Sequence, residues 1–494
     1  MLFNSFSFLV FFPIVCLIYF IIPRKLRYIW LLFASYYFYM SWNAKYALLI
    51  AISTIITWIS GLAIEKCKTT SGKKFTVTLS FVSNLGILFF FKYFDFALHN
   101  LNCLLSYAGI QIVDNPFDII LPVGISFYTF QALSYTVDVY RGEVNAEKNP
   151  LRYALFVSFF PQLVAGPIER SKNLLTQVRN VDSFKLFNYN RVVSGLIMMV
   201  WGLFQKMVIA DRLSIFVDHV FANSYAYGTV ELALAAIAFA LQIYCDFGGY
   251  STIAIGAAQV MGFTLMDNFD TPYFATSIKD FWRRWHISLS SWFKDYLYIP
   301  LGGNRCSRIR RYFNLMVTFL VSGLWHGANW TYVIWGGLHG LYQLIGDLLK
   351  PLRERIIKFF KTDTSVFSYK LGQLVATFAL TTFAWIFFRA ENLNDALYYI
   401  KRLFTKWNPW VLFDQSLYTL GLDITEMNIL IIALVALLLT DIIKYRKHLH
   451  ISQFLLKQNL WFRWIVVFIL IISILVYGKY GVDFDSAQFI YFDF

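Results

Sequence analysis

Two histidines are the residues best suited to chemistry in this chain. His286 lies in Phe281-Trp-Arg-Arg-Trp-His-Ile-Ser-Leu-Ser-Ser-Trp292 and His326 in Ser322-Gly-Leu-Trp-His-Gly-Ala-Asn-Trp330, and the chain has 7 histidines in 494 residues. A titratable ring in surroundings as apolar as those of His326 is costly at membrane depth and marks a functional site. With an ordinary pKa of about 6.5, an imidazole can take a proton from a hydroxyl and pass it on. Other chemistries lack their residues. There is no Gly-x-Ser-x-Gly elbow, no HExxH and no Gly-Lys-Ser/Thr phosphate loop, which argues against serine hydrolysis, zinc hydrolysis and nucleotide hydrolysis. The 5 cysteines are scattered, with no CxxC, and read as small hydrophobes or free thiols, so no metal site is expected. What remains for the histidine is direct acyl transfer, as the base that activates an acceptor hydroxyl against a bound thioester.

The elements that position these rings can be read from periodicity. Trp282, Trp285, His286, Leu289, Trp292, Phe293 and Tyr296 recur at three- and four-residue steps, one stripe of a helix. His286 then points with the tryptophans into protein or membrane. The alternative is an interfacial helix whose aromatic belt includes a histidine. His326 lies between apolar 314–325 and 330–348, two half-length segments that meet around it, with Gly323 and Gly327 permitting close approach or a break. Discontinuous helices of this kind build substrate sites near the bilayer midplane. Here the alternative is a core histidine bonded to a carbonyl. His339, in Gly336-Gly-Leu-His-Gly340, reads as structural.

Hydrophobic residues make up 58% of the chain, aromatics 20% and charged residues 15%, with a mean hydropathy of +0.55. Soluble domains average about 45–50% apolar and about 25% charged, so this chain cannot cover itself with a polar shell. An all-α, polytopic membrane protein follows. Apolar segments long enough for a hydrocarbon core fall near 5–22, 28–44, 46–64, 76–97, 118–137, 192–210, 229–245, 314–325, 330–348, 371–388, 427–443 and 461–478. The 153–168 stretch, broken by Pro161, Gly166 and Pro167, reads as re-entrant or interfacial. The net charge of +14 comes from short basic connectors such as Arg24–Arg27, Lys66–Lys74, Arg305–Arg311, Lys350–Lys361 and Lys444–Lys447. That is the pattern of cytoplasmic loops rather than of a nucleic-acid surface, and it places both termini outside the cytoplasm. The first segment reads as a retained helix, not a cleaved signal peptide. Residues 250–313, aromatic and basic, read as packed interfacial structure on the cytoplasmic face. No repeat or soluble domain shows, and 1–494 reads as one membrane domain.

Several of these motifs carry a family resemblance. Trp285-His-Ile-Ser-Leu-Ser-Ser-Trp292, Lys294-Asp-Tyr-Leu-Tyr-Ile-Pro-Leu-Gly-Gly303 and Leu324-Trp-His-Gly327 resemble the membrane-bound O-acyltransferases (MBOAT). The likeness is to the bacterial branch that O-acetylates alginate and peptidoglycan and is related to the teichoic-acid D-alanylation protein. Tyr244-Cys-Asp-Phe-Gly-Gly-Tyr250, Asn268-Phe-Asp-Thr-Pro-Tyr273 and Trp385-Ile-Phe-Phe-Arg-Ala390 extend it over most of the chain from about residue 120. The resemblance implies a bundle of about 11–12 transmembrane helices with re-entrant segments and a central tunnel. It implies a catalytic role for His326, with His286, 40 residues earlier, in the same tunnel to position the donor or polarise its carbonyl. Trp285, Trp325, Asn329 and Asp246 are candidate tunnel-lining residues, Asp246 having a helix cap as its alternative.

The implied reaction moves an acetyl group from a cytoplasmic thioester, acetyl-CoA as donor substrate with no permanently bound cofactor, to cell-envelope polysaccharide. An extracytoplasmic SGNH-type transferase/esterase is the implied partner, and the implied location is the bacterial inner membrane. Alternatives are D-alanyl transfer to teichoic acid and a non-catalytic polysaccharide or lipid transporter. Within the extracytoplasmic stretch 479–494, Phe489-Ile-Tyr-Phe-Asp-Phe494 resembles a Phe-x-Tyr-x-x-Phe tail that belongs to a separate small protein in the D-alanylation branch. That likeness implies Tyr491 as an acyl relay, against the plainer reading of an aromatic tail packed on the membrane surface. Lys206 reads as a snorkelling residue and Arg389 as an interfacial anchor.

Overall fold

In a computed structural model the protein is described at residues 1–115, 117, 121–185, 187–480 and 490. It divides into two compact units, 1–199 with 253–266, and 200–252 with 267–494. Among the described residues all regular structure is helical. Seven helical stretches among the described residues are long and apolar enough to cross a membrane: 44–66, 70–107, 189–222, 229–261, 367–389, 424–447 and 460–477.

The first unit contains α1 (Phe6–Ile21), α2 (Arg27–Met40), α3 (Ala47–Lys66), α4 (Thr70–Leu88), α5 (Phe94–Tyr107), α6 (Ile125–Tyr140), α7 (Pro150–Ser158), α8 (Phe160–Leu163) and α9 (Thr176–Arg179). It also holds the start of α10 (Tyr189–Phe204). The 153–168 stretch is broken as its prolines require, with Phe159 non-helical between α7 and α8. Its buried backbone is satisfied by side chains. The Phe156 carbonyl accepts from Gln131 and Gln162 (2.5 and 3.0 Å), and the Phe160 N–H donates to Ser35 Oγ at 3.1 Å. Irregular backbone in an apolar interior persists only with such partners.

The second unit begins with the end of α10 and contains α11 (Asp211–Ala222) and most of α12 (Thr229–Met261), whose last turns belong to the first unit. After it come α13 (Ile278–Arg284), α14 (Ile287–Phe293), α15 (Arg308–His326), α16 (Trp330–Leu348), α17 (Lys350–Phe359), α18 (Phe367–Arg389), α19 (Leu393–Thr405), α20 (Ile424–Lys447), α21 (Ile451–Leu456) and α22 (Leu460–Tyr477). Residues 250–261 complete the 33-residue helix α12.

The half-length segments expected around His326 are two 19-residue helices, each about 28 Å long at the standard rise. The Arg308-Ile-Arg-Arg311 turn that looks like a connector is the first turn of α15, so His326 marks a helix end and not a break within a span. The α15–α16 hairpin closes on small residues. A side chain at Gly323 would meet the Tyr332 carbonyl at 2.2 Å, and one at Gly336 the Phe319 carbonyl at 2.2 Å. Such contacts are how membrane helices approach without a hydrophobic drive.

Candidate active site

The expected single helix over 281–296 is spliced at His286 by a neighbouring strand of chain. Asp270 donates its N–H to the Arg284 carbonyl at the end of α13, and the Asn268 carbonyl accepts from the Ile287 N–H at the start of α14, both at 2.9 Å. With those hydrogen bonds taken, the helix need not run through, and His286 adopts the left-handed conformation (φ 43°). For a non-glycine residue that conformation is strained, and such strain gathers at active sites.

Asn268 also fixes the ring. Its Oδ1 accepts from the Ser288 N–H and Ser288 Oγ (3.3 and 2.8 Å) and lies 3.0 Å from His286 Nδ1. The Ser288 N–H can only donate, so that amide atom is the oxygen and His286 Nδ1 carries the hydrogen. The opposite nitrogen, Nε2, is then the lone-pair side. Burial pushes the imidazole down to about 3, which keeps it neutral.

His326 ends α15, with Gly327 extended after it. The ring is boxed by Trp325, Trp335 and Phe388, with centroids at 5.0, 5.0 and 5.5 Å. Its centroid lies 6.2 Å from that of His286, and the two residues are 2% and 0% exposed. Residues 40 apart in sequence thus share one dry, aromatic site. Phe247 packs edge-on to His286 at 4.7 Å, which brings the Tyr244–Tyr250 motif of α12 beside it.

The other expected residues divide. Trp285 and Trp325 are buried in this cluster. Among the described residues the indole N–H groups of Trp285 and Trp335 have no acceptor. Asn329 spends its amide on structure, capping α16 through the Thr331 N–H (3.0 Å) and donating to the Glu391 carbonyl (2.9 Å). His339 accepts from Trp282 Nε1 at 3.2 Å, as a structural histidine would. Asp246 lies mid-helix in α12, so it caps nothing; it pairs with Lys206 at 2.7 Å. Lys206 therefore does not snorkel. It is buried in a π-helical turn (Gln205–Ala210) between Asp246 and Asp211, the latter at 2.8 Å. Arg389 is held by Asp218 at 2.5 Å over the Phe221 ring. Tyr491 lies outside the described residues. Asn268 was visible in its motif, but its role as the anchor of His286 was not, because the two are joined only by the splice.

Comparison with known sequences defines the class. This chain belongs to the membrane-bound O-acyltransferase family, whose sequence model matches residues 143–388, and it is a multi-pass membrane O-acyltransferase. Among its relatives is a probable alginate O-acetylase of Azotobacter vinelandii, 39% identical, the match covering 84% of this chain and 79% of the relative. A peptidoglycan O-acetyltransferase of Helicobacter pylori is 36% identical over 76% of this chain and 73% of that protein. A teichoic acid D-alanyltransferase of Bacillus subtilis is more distant, 26% identical over 59% and 73%.

Proposed function

We propose that this chain transfers acetyl groups across the bacterial inner membrane for O-acetylation of a cell-envelope polysaccharide. The observation that carries the reading is the buried His286–His326 pair, centroids 6.2 Å apart, inside one aromatic box. The donor is a cytoplasmic thioester, acetyl-CoA, used as substrate. His326 takes the proton of the acceptor hydroxyl while the oxygen attacks the thioester carbonyl, and the departing thiolate then takes that proton back. His286, neutral with its lone pair on Nε2, positions the donor by accepting a hydrogen bond. Polarising the carbonyl falls instead to the buried indole N–H groups of Trp285 and Trp335, the kind of preorganised donor that stabilises developing negative charge.

Tyr491 is the relay that receives the acetyl group and yields it to an SGNH-type partner outside the cytoplasm, where both termini lie. Acetylation is favoured over D-alanyl transfer by the higher identity to the two O-acetylating relatives. The test is envelope acetylation in cells carrying His326→Ala, with the membrane level of the protein checked in parallel. Acetylation is expected to disappear at an unchanged protein level; acetylation that persists overturns the reading.

A further inference from the structure

Among the described residues, the buried charge cluster of the second unit sets one lysine between two aspartates. Lys206 Nζ reaches Asp211 Oδ1 at 2.8 Å and Asp246 Oδ1 at 2.7 Å, with all three side chains at most 5% exposed. Carboxylates buried this deeply need hydrogen-bond donors. Asp246 finds one far along the chain. Its Oδ2 accepts from the Ile490 main-chain N–H at 2.9 Å.

Residues 477–479 are held at the same patch. Where α22 ends, the Tyr477 carbonyl accepts from Arg212 (2.8 Å), Lys479 N–H donates to the Met207 carbonyl (3.1 Å), and Lys479 Nζ pairs with Glu426 (2.8 Å). Residues 479 and 490 are therefore tied to the same patch, 206–212 with 246. The π-turn at Gln205–Ala210 is a feature often found at functional sites. Gly249, one turn after Asp246, lets α12 close on α10, since a side chain there would meet the Gly202 carbonyl at 2.8 Å.

We propose that the Lys206–Asp211–Asp246 cluster is a docking seat that grips the chain at Ile490 by its main-chain N–H and so serves the acyl relay. The purpose assigned to the seat rests on the relay reading of Tyr491; the contact itself does not. Asp246 is thereby a positioning residue. Because it grips main chain, it sets where residue 490 sits without depending on the side chain there. Removing its carboxylate leaves the Lys206–Asp211 ion pair in place, so the fold is expected to survive.

The test uses the full chain in native membranes with a benzoyl-phenylalanine photo-crosslinker at position 490, adducts being mapped by mass spectrometry. Adducts are expected within 205–211 or 244–250, and their yield should fall roughly tenfold or more in Asp246→Ala, the scale of losing a hydrogen bond to a charged group. Asp246→Asn, which keeps an acceptor oxygen, should recover part of that yield and answers for any folding loss in the alanine variant. Adducts confined to other regions, or a yield indifferent to Asp246→Ala, overturn the seat. Tyr491→Phe separates the two readings: it should leave the adducts intact and remove any acetyl mass from the tail peptide. An acetyl mass that survives Tyr491→Phe sinks the relay while the adduct map still decides the seat.

Discussion

The short-helix region at 267–298 and the α15–α16 hairpin at 308–348 deliver one histidine each to the same site by opposite means. His286 is oriented by polar groups, namely a left-handed residue at a splice and a tautomer fixed by Asn268. His326 is held by shape, on a helix end whose partner helix comes close through Gly323 and Gly336 and whose ring is boxed by aromatics. A ring whose proton is pinned and whose charge is suppressed by burial suits binding. One held by shape at a helix end suits proton transfer.

Breaking each device should give a different defect. The largest effect is expected from His326→Ala, a loss of about 10²–10⁴ in kcat, the usual share of general acid–base catalysis, read by acetyl transfer in proteoliposomes. Asn268→Ala should come next: His286 loses its tautomer lock, KM for the donor rises about tenfold, and kcat changes less. Gly323→Ala should lower thermal stability by about 1–3 kcal/mol, the range of an overpacked contact, with activity falling in step with folded protein.

The smallest effect concerns pH. The folded protein holds His286 down to about 3, so it refuses a proton that the unfolded chain accepts below about 6.5. Stability contributed by the neutral ring is present above about 6.5 and is lost as pH falls toward 3. Melting at pH 7.5 and 5.5 should show an acid-side loss in wild type that shrinks in His286→Gln; an equal loss in both would contradict it.

Much of this site could be read in the chain, because rare polar residues in an apolar sequence are conspicuous. His286 and His326 stand out against their surroundings, and Gly323 and Gly327 announce close packing. The helix boundaries could not be read in the same way. Arg308, Arg310 and Arg311 look like a loop because a basic first turn breaks the apolar window, although the backbone continues through it. The periodicity of 281–296 spans a break because the hydrogen bonds that make the break come from Asn268 and Asp270, which no local pattern connects to it. Lys206 was misplaced for a related reason. Its counterions at 211 and 246 become neighbours only when α10 and α12 pack together.

The most direct test of His326 as the base is single-turnover transfer at saturating donor, with His326→Ala and His286→Gln measured side by side in proteoliposomes. The expected result is donor bound by both variants, with the transfer step nearly lost in His326→Ala and largely kept in His286→Gln. A His326→Ala protein that transfers acetyl at close to the wild-type rate, or a reversed order between the two, would contradict it.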